Sequence, residues 1–338
     1  MSKIWNAVFA ANVLLLSGHM AAAEENSNTR SLRGTVFDFQ ASHPDFEERK
    51  SAKVRGQVAA ELGPDGRMVW IGAPSAVFSS KENFDNWYRD VPGVNASRPI
   101  SIDLTEVAPG RFQYESKAFF PIDDALLGNE GGAYKDAAGK PHNFHFTTHL
   151  TGNFTFSGDG DQFSFTGDDD LWVFFDGRLG IDLGGIHSPE NGTITGAQLK
   201  AMGLLPNTAH RLDIFHAERQ TSGSTFRIET NFDIRPPVNS ELPDLAPGEV
   251  PAAALKPGES LVPDQRYPSA SGTHVLVTKT GHDLIVFTAD GGEPAWGFEL
   301  RTETQATVTM MPDGVLAMRD RDGAVIWKTL IGAPRPGS

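Results

Sequence analysis

Short runs of aromatic and β-branched residues, separated by glycine and aspartate, recur from Ser31 to Arg235. In residues 153–156 and 162–165 apolar and polar side chains alternate, which is typical of antiparallel strands with one buried face. A long series of short strands predicts an all-β fold, either a sandwich or a barrel. The runs are GTVFDF, ISIDL, RFQYES, FHFTTHL, GNFTFSG, QFSFTG, LWVFF, LGIDL, HRLDIFHAE and FRIETNFDI.

The segments between the runs predict turns and two helices. Asp176-Gly177 separates LWVFF from LGIDL and favours a tight turn of the primed type. Residues 157–162, SGDGDQ, predict a hairpin loop between two strands. Only residues 82–91 and 197–204 have a helical pattern.

Composition changes after the strand-rich region. Residues 236–265 are rich in proline and small residues and predict a stiff linker. Residues 266–330 form a second set of strands with two similar halves, 282–297 and 313–328. Each half has a strand, a turn, a second strand and a terminal tryptophan. This pattern indicates an internal repeat of roughly thirty residues.

Residues 1–23 have the order of a secretory signal peptide, with Lys3, an apolar stretch and three alanines before Glu24. We expect cleavage after Ala23 and export to the periplasm, the cell surface or the medium. An uncleaved anchor is the alternative. No later segment is long and apolar enough to predict a membrane span.

The charge of the chain narrows the classes of partner. The formal net charge is −14, which disfavours nucleic acid and anionic lipid and is compatible with divalent cations and neutral sugars. Taken alone, this acidity favours the simpler interpretation that it keeps a secreted protein soluble. The chain has no cysteine, so an exported form depends on packing or on a metal for its stability.

Three consecutive aspartates, Asp168, Asp169 and Asp170, directly precede the run LWVFF. Adjacent carboxylates repel, and neighbouring side chains of a strand point apart, so two of them can share a ligand only where the backbone bends. Calcium takes about 6–8 oxygen ligands and would hold such a bend, with open positions for two sugar hydroxyls. The alternative, a solvated loop whose aspartates cap turns, is favoured for the run taken alone.

Ordered blocks over about two hundred residues strengthen the calcium interpretation. Together they resemble a fibro-slime domain, a relative of the lectin-like β-sandwich of the anthrax protective antigen and the yeast flocculins. The resemblance implies an antiparallel β-sandwich of the protective-antigen type over residues 31–235. The blocks are GTVFDFQASHPDFE, NFDNWYRDVPGVN, FFPIDDALLGNE, HNFHFTTHL, FTGDDDLWVFFDGRLGIDLGGIH and LDIFHAERQTSGSTFRIET.

The resemblance also implies a site. In the flocculin branch two successive aspartates joined by a cis peptide bind calcium, and the calcium binds the sugar. Asp168 and Asp169 match that pair by position, with Asp170 as a helper, which implies calcium as cofactor. A second ligand loop is expected at residues 184–192. Its candidate ligand-binding residues are Asn191, Glu190 and His187.

The remaining patterns of polar residues are weaker evidence for a functional site. His145 and His149 lie on one face of a predicted strand but about 13 Å apart, too far for one zinc ion. Glu218 and Arg219 predict a surface ion pair at a strand end. No acidic pair is singled out for glycoside hydrolysis, and no nucleophile or nucleotide motif is present, so we predict no enzyme.

The 266–330 unit is similar to part of a bulb-type mannose-binding lectin, although only Asp313 matches among the sugar-contacting positions. Packing or contact is therefore the favoured role of this unit. For the whole chain we predict a secreted carbohydrate-binding or adhesion protein with a glycan or polysaccharide partner. A surface-protein partner is a further expectation. The alternative is a structural or assembly component of an extracellular matrix or surface complex that binds no sugar.

Overall fold

The computed structural model describes eleven segments of the 338-residue chain, and the predicted signal peptide and most of the predicted linker lie outside them. The described segments are 30–63, 65–221, 223–236, 256–262, 265–268, 274–278, 284–288, 294–298, 307–312, 316–319 and 323–328. In these segments no helix is both long enough and apolar enough to cross a membrane.

Two antiparallel sheets form the larger part of the molecule, as predicted. The strands of the first sheet are β1 (Ser31–Phe39), β3 (Asn95–Asp103), β6 (Phe146–Thr155), β8 (Leu171–Phe175), β9 (Arg178–Leu183), β12 (His210–Glu218) and β14 (Asp233–Arg235). Their order is β3-β1-β6-β12-β8-β9, and β14 also pairs with β6.

The strands of the second sheet are β4 (Thr105–Ala108), β5 (Arg111–Ser116), β7 (Gln162–Gly167), β11 (Glu190–Thr195) and β13 (Phe226–Thr230). Their order is β11-β7-β13-β5-β4. A separate short pair joins β2 (Ala52–Lys53) to β10 (Gly185–Ile186).

Two apolar cores lie on opposite faces of the first sheet. Alternate residues of β8 explain this arrangement: Leu171 and Val173 belong to the core between the sheets, whereas Trp172 and Phe174 belong to a second core. The second core is closed by side chains from residues 40–94. A strand covered on both faces needs apolar residues at every position, which accounts for the unbroken run LWVFF.

Both predicted helices are present but shorter than expected. Helix α1 spans Lys81–Asp85 and α2 spans Gly196–Ala201, with a 3₁₀ turn at Glu130–Gly132. The Asn95 side chain donates to the carbonyls of Asn86 and Arg89, so the chain after α1 is held as a series of turns instead of more helix.

The Asp176-Gly177 turn is confirmed, with φ of 47° and 74°, both in the left-handed region that a type I′ turn needs. The predicted hairpin at 157–162 is wrong. The strands on either side, β6 and β7, lie in different sheets. The segment is a crossover in which Asp161 accepts hydrogen bonds from the backbone of Ser157 and Gly158. Turn residues predict that the chain changes direction, but they do not identify the sheet that the next strand joins.

The described residues of the C-terminal part include seven further strands. They are β15 (Tyr267–Pro268), β16 (His274–Thr278), β17 (Leu284–Thr288), β18 (Pro294–Phe298), β19 (Thr307–Met310), β20 (Leu316–Arg319) and β21 (Val325–Lys328). They form a four-stranded sheet, β15-β16-β17-β18, and a three-stranded sheet, β19-β20-β21. Each predicted half contains one antiparallel strand pair, β17 with β18 and β20 with β21. The position of Asp313 lies outside the described residues.

One buried histidine gives the core a pH dependence. His216 is fully buried between the sheets, its ring lies 5.3 Å from that of Phe226, and neither ring nitrogen has a hydrogen-bond partner among the described residues. Burial lowers its pKa from 6.5 to about 3. Between these values the unfolded chain binds a proton that the folded chain does not, so this residue lowers stability as pH falls.

We therefore expect His216→Phe to reduce the slope of unfolding free energy against pH between pH 6.5 and 4 by up to about 1.4 kcal/mol per pH unit. Urea unfolding at several pH values measures the slope. A control, Asp159→Asn, changes an exposed group on the crossover and should leave the slope in this range nearly unchanged. An identical slope in His216→Phe and in the parent protein would contradict the assignment.

Candidate functional site

The three aspartates do not continue the strand that follows them. Asp169 has a φ of 58°, in the left-handed region that non-glycine residues seldom adopt. The bend lets the three side chains reach different partners. Asp168 accepts a hydrogen bond from the Thr225 amide at 2.5 Å, and Asp169 accepts one from the Arg219 amide at 2.7 Å.

Asp170 forms a fully buried ion pair with Arg219, whose Nε lies 2.7 Å from Asp170 Oδ2. Asp170 Oδ1 also accepts a hydrogen bond from the Gly185 amide at 2.5 Å. The Arg219 guanidinium donates to the carbonyls of Asp45 and Val77 at 2.9 Å. Asp170 therefore connects the first sheet with the 40–94 segment through Arg219.

The predicted surface ion pair between Glu218 and Arg219 is wrong, because both side chains are buried, at 1% and 0% exposure. Strand alternation along β12 explains the result. Phe215 and Ala217 belong to the second core, and Arg219 continues that face. Ile214 belongs to the core between the sheets, and Glu218 continues the opposite face.

Three carboxylates gather beside the bend: Asp168, Asp169 and Glu218. Asp169 and Glu218 are buried, and Asp168 is half-buried. Burial raises the pKa of all three, to about 8 for Asp169 and well above the usual value for Glu218. Repulsion from Asp169 and then Asp168 raises the pKa of Glu218 further. A bound cation would offset this repulsion and stabilise the ionised form of the carboxylates.

The predicted second loop does lie next to the aspartates. The carbonyl of His187 accepts a hydrogen bond from the Asp169 amide at 3.2 Å, and Glu190 pairs with Gly167 across β11 and β7. The backbone of residues 187–190 is thus brought to the site.

The side chains of that loop are engaged elsewhere. Glu190 Oε2 lies 2.5 Å from Arg55 and 3.2 Å from Lys53. The Asn191 amide donates to Thr166 Oγ1 at 2.9 Å, and the His187 ring is held 2.8 Å from the Leu183 carbonyl oxygen.

The histidines of PHNFHFTTHL lie apart and face carboxylates. His142 Nδ1 is 2.6 Å from Asp123, and His145 lies 3.0 Å from both Glu47 and Glu130. His149 Nε2 is 3.0 Å from buried Asp213, and burial lowers the pKa of His149 to about 4. These separate pairs fasten loops and strands of the sandwich to one another and do not form a common site.

The donors beside the bend have the chemistry that calcium prefers, namely carboxylate and carbonyl oxygens. The amides of Thr225 and Arg219 each donate to one carboxylate oxygen of Asp168 and Asp169, and the Thr225 side chain also interacts with the Asp168 carboxylate. Within the described part of the chain, no three acidic or histidine side chains converge as a ready-made metal site. Backbone carbonyls such as that of His187 would have to contribute to the ligand set.

Sequence reasoning missed Glu218 and Arg219 as members of this region. Their position at the end of the run HRLDIFHAE is compatible with two arrangements. Alternation through a strand that is apolar on both faces places two consecutive charged residues on opposite buried faces. Neighbouring residues of opposite charge otherwise favour a surface pair, and the local pattern does not distinguish the two arrangements.

Comparison with known proteins bears on residues 108–241, which match the sequence model of the PA14 domain. Two curated relatives come from Dictyostelium discoideum. Protein psiR is 36% identical over 236 residues, which is 67% of this chain and 23% of psiR. Protein psiD is 36% identical over 211 residues, which is 60% of this chain and 41% of psiD. The chain thus spans less than half the length of these relatives.

Two solved structures show weaker similarity. The PA14 sugar-binding domain from an RTX adhesin has 11% identity and a TM-score of 0.26, covering 61% of this chain and 94% of that domain. A β-glucosidase from Kluyveromyces marxianus has 16% identity and a TM-score of 0.19, covering 28% of this chain and 11% of the enzyme. The similarity to a known family therefore rests on the sequence model: residues 108–241 of this all-β chain match the PA14 domain.

Proposed function

We propose that the sandwich binds a glycan outside the cell through a calcium ion held by Asp168 and Asp169. The observation that carries the proposal is the bend at Asp169. Asp168 and Asp169, half-buried and buried, lie near enough at this bend for the charge of Asp168 to raise the pKa of Asp169, and both belong to the segment that matches the PA14 domain. Without a cation this arrangement is costly, because buried carboxylates repel and lose hydration.

The resemblance to flocculins supports the same two residues, since successive aspartates hold calcium in that branch and the calcium contacts the sugar. Asp170 has a different role in this proposal. Its charge is already compensated by Arg219, so it positions the bend and does not bind the ion. The carbonyl of His187 is the nearest backbone contribution from the 184–192 loop.

The remaining parts of the proposal rest on sequence. The N-terminal pattern supports export, and the net charge of −14 supports a neutral glycan over an anionic one. We also infer that the domain is of the fibro-slime type and that the 266–330 unit is a partial bulb-type lectin fold. A non-catalytic binding role agrees with the absence of a paired-carboxylate motif in the sequence.

Calcium binding is tested by calorimetry on the protein after chelation. We expect a dissociation constant of roughly 10⁻⁴–10⁻³ M, the range of extracellular calcium modules. The double variant Asp168→Asn/Asp169→Asn should lose binding at least tenfold, because it keeps hydrogen-bond acceptors and removes both charges. A matched control, Asp103→Asn/Asp159→Asn, makes the same charge change at exposed positions and should bind like the parent.

A glycan array with and without chelator tests the second half of the proposal. Glycan signals that disappear on chelation and return with calcium support sugar binding through the ion. No heat of calcium binding and no thermal shift in the parent protein would overturn the proposal. Calcium binding without any glycan signal would favour the alternative, an assembly component of a matrix or surface complex in which the ion stabilises the fold.

A further inference from the structure

We infer that a cavity at the end of β1 and the start of β3 is a separate binding site, which takes a neutral sugar ring without calcium. The inference goes beyond the proposed calcium site and does not depend on it. Its basis is the uncharged lining of the cavity and a strained loop that holds an exposed leucine at the rim.

The cavity has a volume of about 440 Å³, within the range of about 300–1,000 Å³ that is typical of small-ligand sites. Gln40, which follows β1, and Asn95, which begins β3, both line it. The bend before β8 lies at the same end of the first sheet, but β6 and β12 separate β1 from β8. Three strand spacings amount to about 14 Å, so one monosaccharide cannot occupy both places.

The lining combines uncharged polar groups with apolar surface. The side chains of Gln40 and Ser42 are exposed, whereas Val94 and Leu127 supply apolar walls. Among the described lining residues His43 is the one titratable group, and burial lowers its pKa, so its ring is neutral at pH 7. A sugar ring has hydroxyl groups around its edge and C–H groups on its faces, and this lining matches both without selecting a charge.

Hydrogen bonds and ring contacts hold two of the lining side chains in place. Asn95 Oδ1 accepts a hydrogen bond from the Val91 amide at 3.0 Å. The His43 ring packs edge-on against the rings of Phe39 and Phe46, each with centroids 5.1 Å away. These walls are therefore formed before a ligand arrives, which lowers the entropy that binding would cost.

The loop that carries Leu127 is strained. Asp124, Leu126 and Glu130 have φ of 56°, 54° and 46°, in the left-handed region that non-glycine residues seldom adopt. Leu126 and Leu127 are each 39% exposed, although the burial of leucine is favourable. Backbone strain of this kind persists only where the surrounding structure imposes it, and it is concentrated at ligand-binding and catalytic sites.

A buried polar network imposes this conformation. Asp38, which has no exposure, accepts hydrogen bonds from the Leu127 amide at 2.7 Å and from the Asn143 side chain at 2.8 Å. Glu130 accepts a hydrogen bond from the Ala41 amide at 2.7 Å, which joins the loop to the end of β1. Packing alone would favour an inward Leu127. The network instead fixes this side chain at the cavity rim, where it would cover one face of a sugar ring.

The test is saturation-transfer NMR on the full chain in the presence of a chelator. The probes are the methyl glycosides of glucose, galactose, mannose and N-acetylglucosamine, and we expect at least one of them to bind. Ser42→Trp fills the cavity from an exposed position and should lower the affinity for that glycoside at least tenfold. Ser101→Trp, exposed near the other end of β3, is the matched control and should bind like the parent.

Gln40→Ala keeps the inference testable if Ser42→Trp does not fold. It removes one exposed amide, and the affinity for the same glycoside should fall roughly 2–10-fold, the effect of one neutral hydrogen bond. No glycoside signal from the chelated parent, or signals that neither variant reduces, would overturn the inference and leave the proposed calcium site intact. Signals that appear only with calcium would also overturn it. A parent that binds a glycoside but no calcium would retain this site and overturn the proposed function.

Discussion

Replacing Arg219 by methionine is expected to lower the free energy of unfolding by about 3–5 kcal/mol, the typical effect of breaking a buried ion pair from one side. The loss leaves Asp170 charged in a site with no exposure and removes the donors to the Asp45 and Val77 carbonyls. Arg219 also lies over the ring of Trp87 at 4.8 Å, so a cation–π contact is lost as well. Urea unfolding followed by circular dichroism measures the difference.

Two companion variants identify the cause of this loss. Adding Asp170→Asn to Arg219→Met should recover part of the stability, because it removes the carboxylate that was left unpaired. Lys81→Met breaks an exposed pair with Asp85 and should cost no more than about 1 kcal/mol. A loss below about 1 kcal/mol for Arg219→Met would show that the pair between Asp170 and Arg219 does not hold the 40–94 segment to the sheet.

Trp87→Ala is expected to cost a comparable amount, about 3–5 kcal/mol, the usual range for removing a fully buried tryptophan. The Trp87 ring packs 4.8 Å from Phe84 and 5.8 Å from Phe78, and its indole nitrogen donates to Asp45 at 3.2 Å. Truncation therefore opens a cavity in the second core and orphans a buried carboxylate oxygen. Urea unfolding measures the loss, and proteolysis should cut first within residues 40–94.

The matched control for Trp87→Ala is Ile71→Ala in the same segment. Ile71 is 61% exposed, so its truncation should change stability by no more than about 0.5 kcal/mol. Because Arg219 stacks on Trp87, the two large effects should not add in the double variant. Full additivity, or a small effect of Trp87→Ala, would mean that the second core is not cooperative with the sandwich.

The two cores also account for how the candidate site is supported. Arg219 and Asp170 meet on the side of the sheet that the 40–94 segment covers, whereas Glu218 lies on the side of the second sheet. The bend at Asp169 is thus held by a buried ion pair at the next residue, while its own carboxylate accepts a hydrogen bond from the Arg219 amide. Weakening the Asp170–Arg219 pair is expected to disturb the proposed calcium site indirectly, in addition to its effect on stability.

The local sequence pattern was sufficient to predict the strands and turns whose conformation depends on neighbouring residues. The alternation in residues 162–165 predicted the half-buried strand β7, and Asp176-Gly177 predicted the turn between β8 and β9 because both residues tolerate positive φ. The all-β fold, though not the choice between a sandwich and a barrel, followed from the number and spacing of such runs. Each of these properties depends on residues that are adjacent along the chain.

Pairing between segments distant in sequence decided the features that the local pattern could not predict. The SGDGDQ crossover could not be distinguished from a hairpin, because the choice of sheet depends on the partners of β7 and not on the turn. The prediction of Glu218 and Arg219 at the surface failed because nothing local shows that residues 40–94 cover one face of β12 and the second sheet covers the other.

By itself the sequence determined that this chain is built of antiparallel strands and that three acidic groups meet the start of a buried one. Only the tertiary structure decided which carboxylate is neutralised by an arginine and which remain together. The pairing of Asp170 with Arg219, far apart along the chain, depends on strand register and on burial, and neither is a local property.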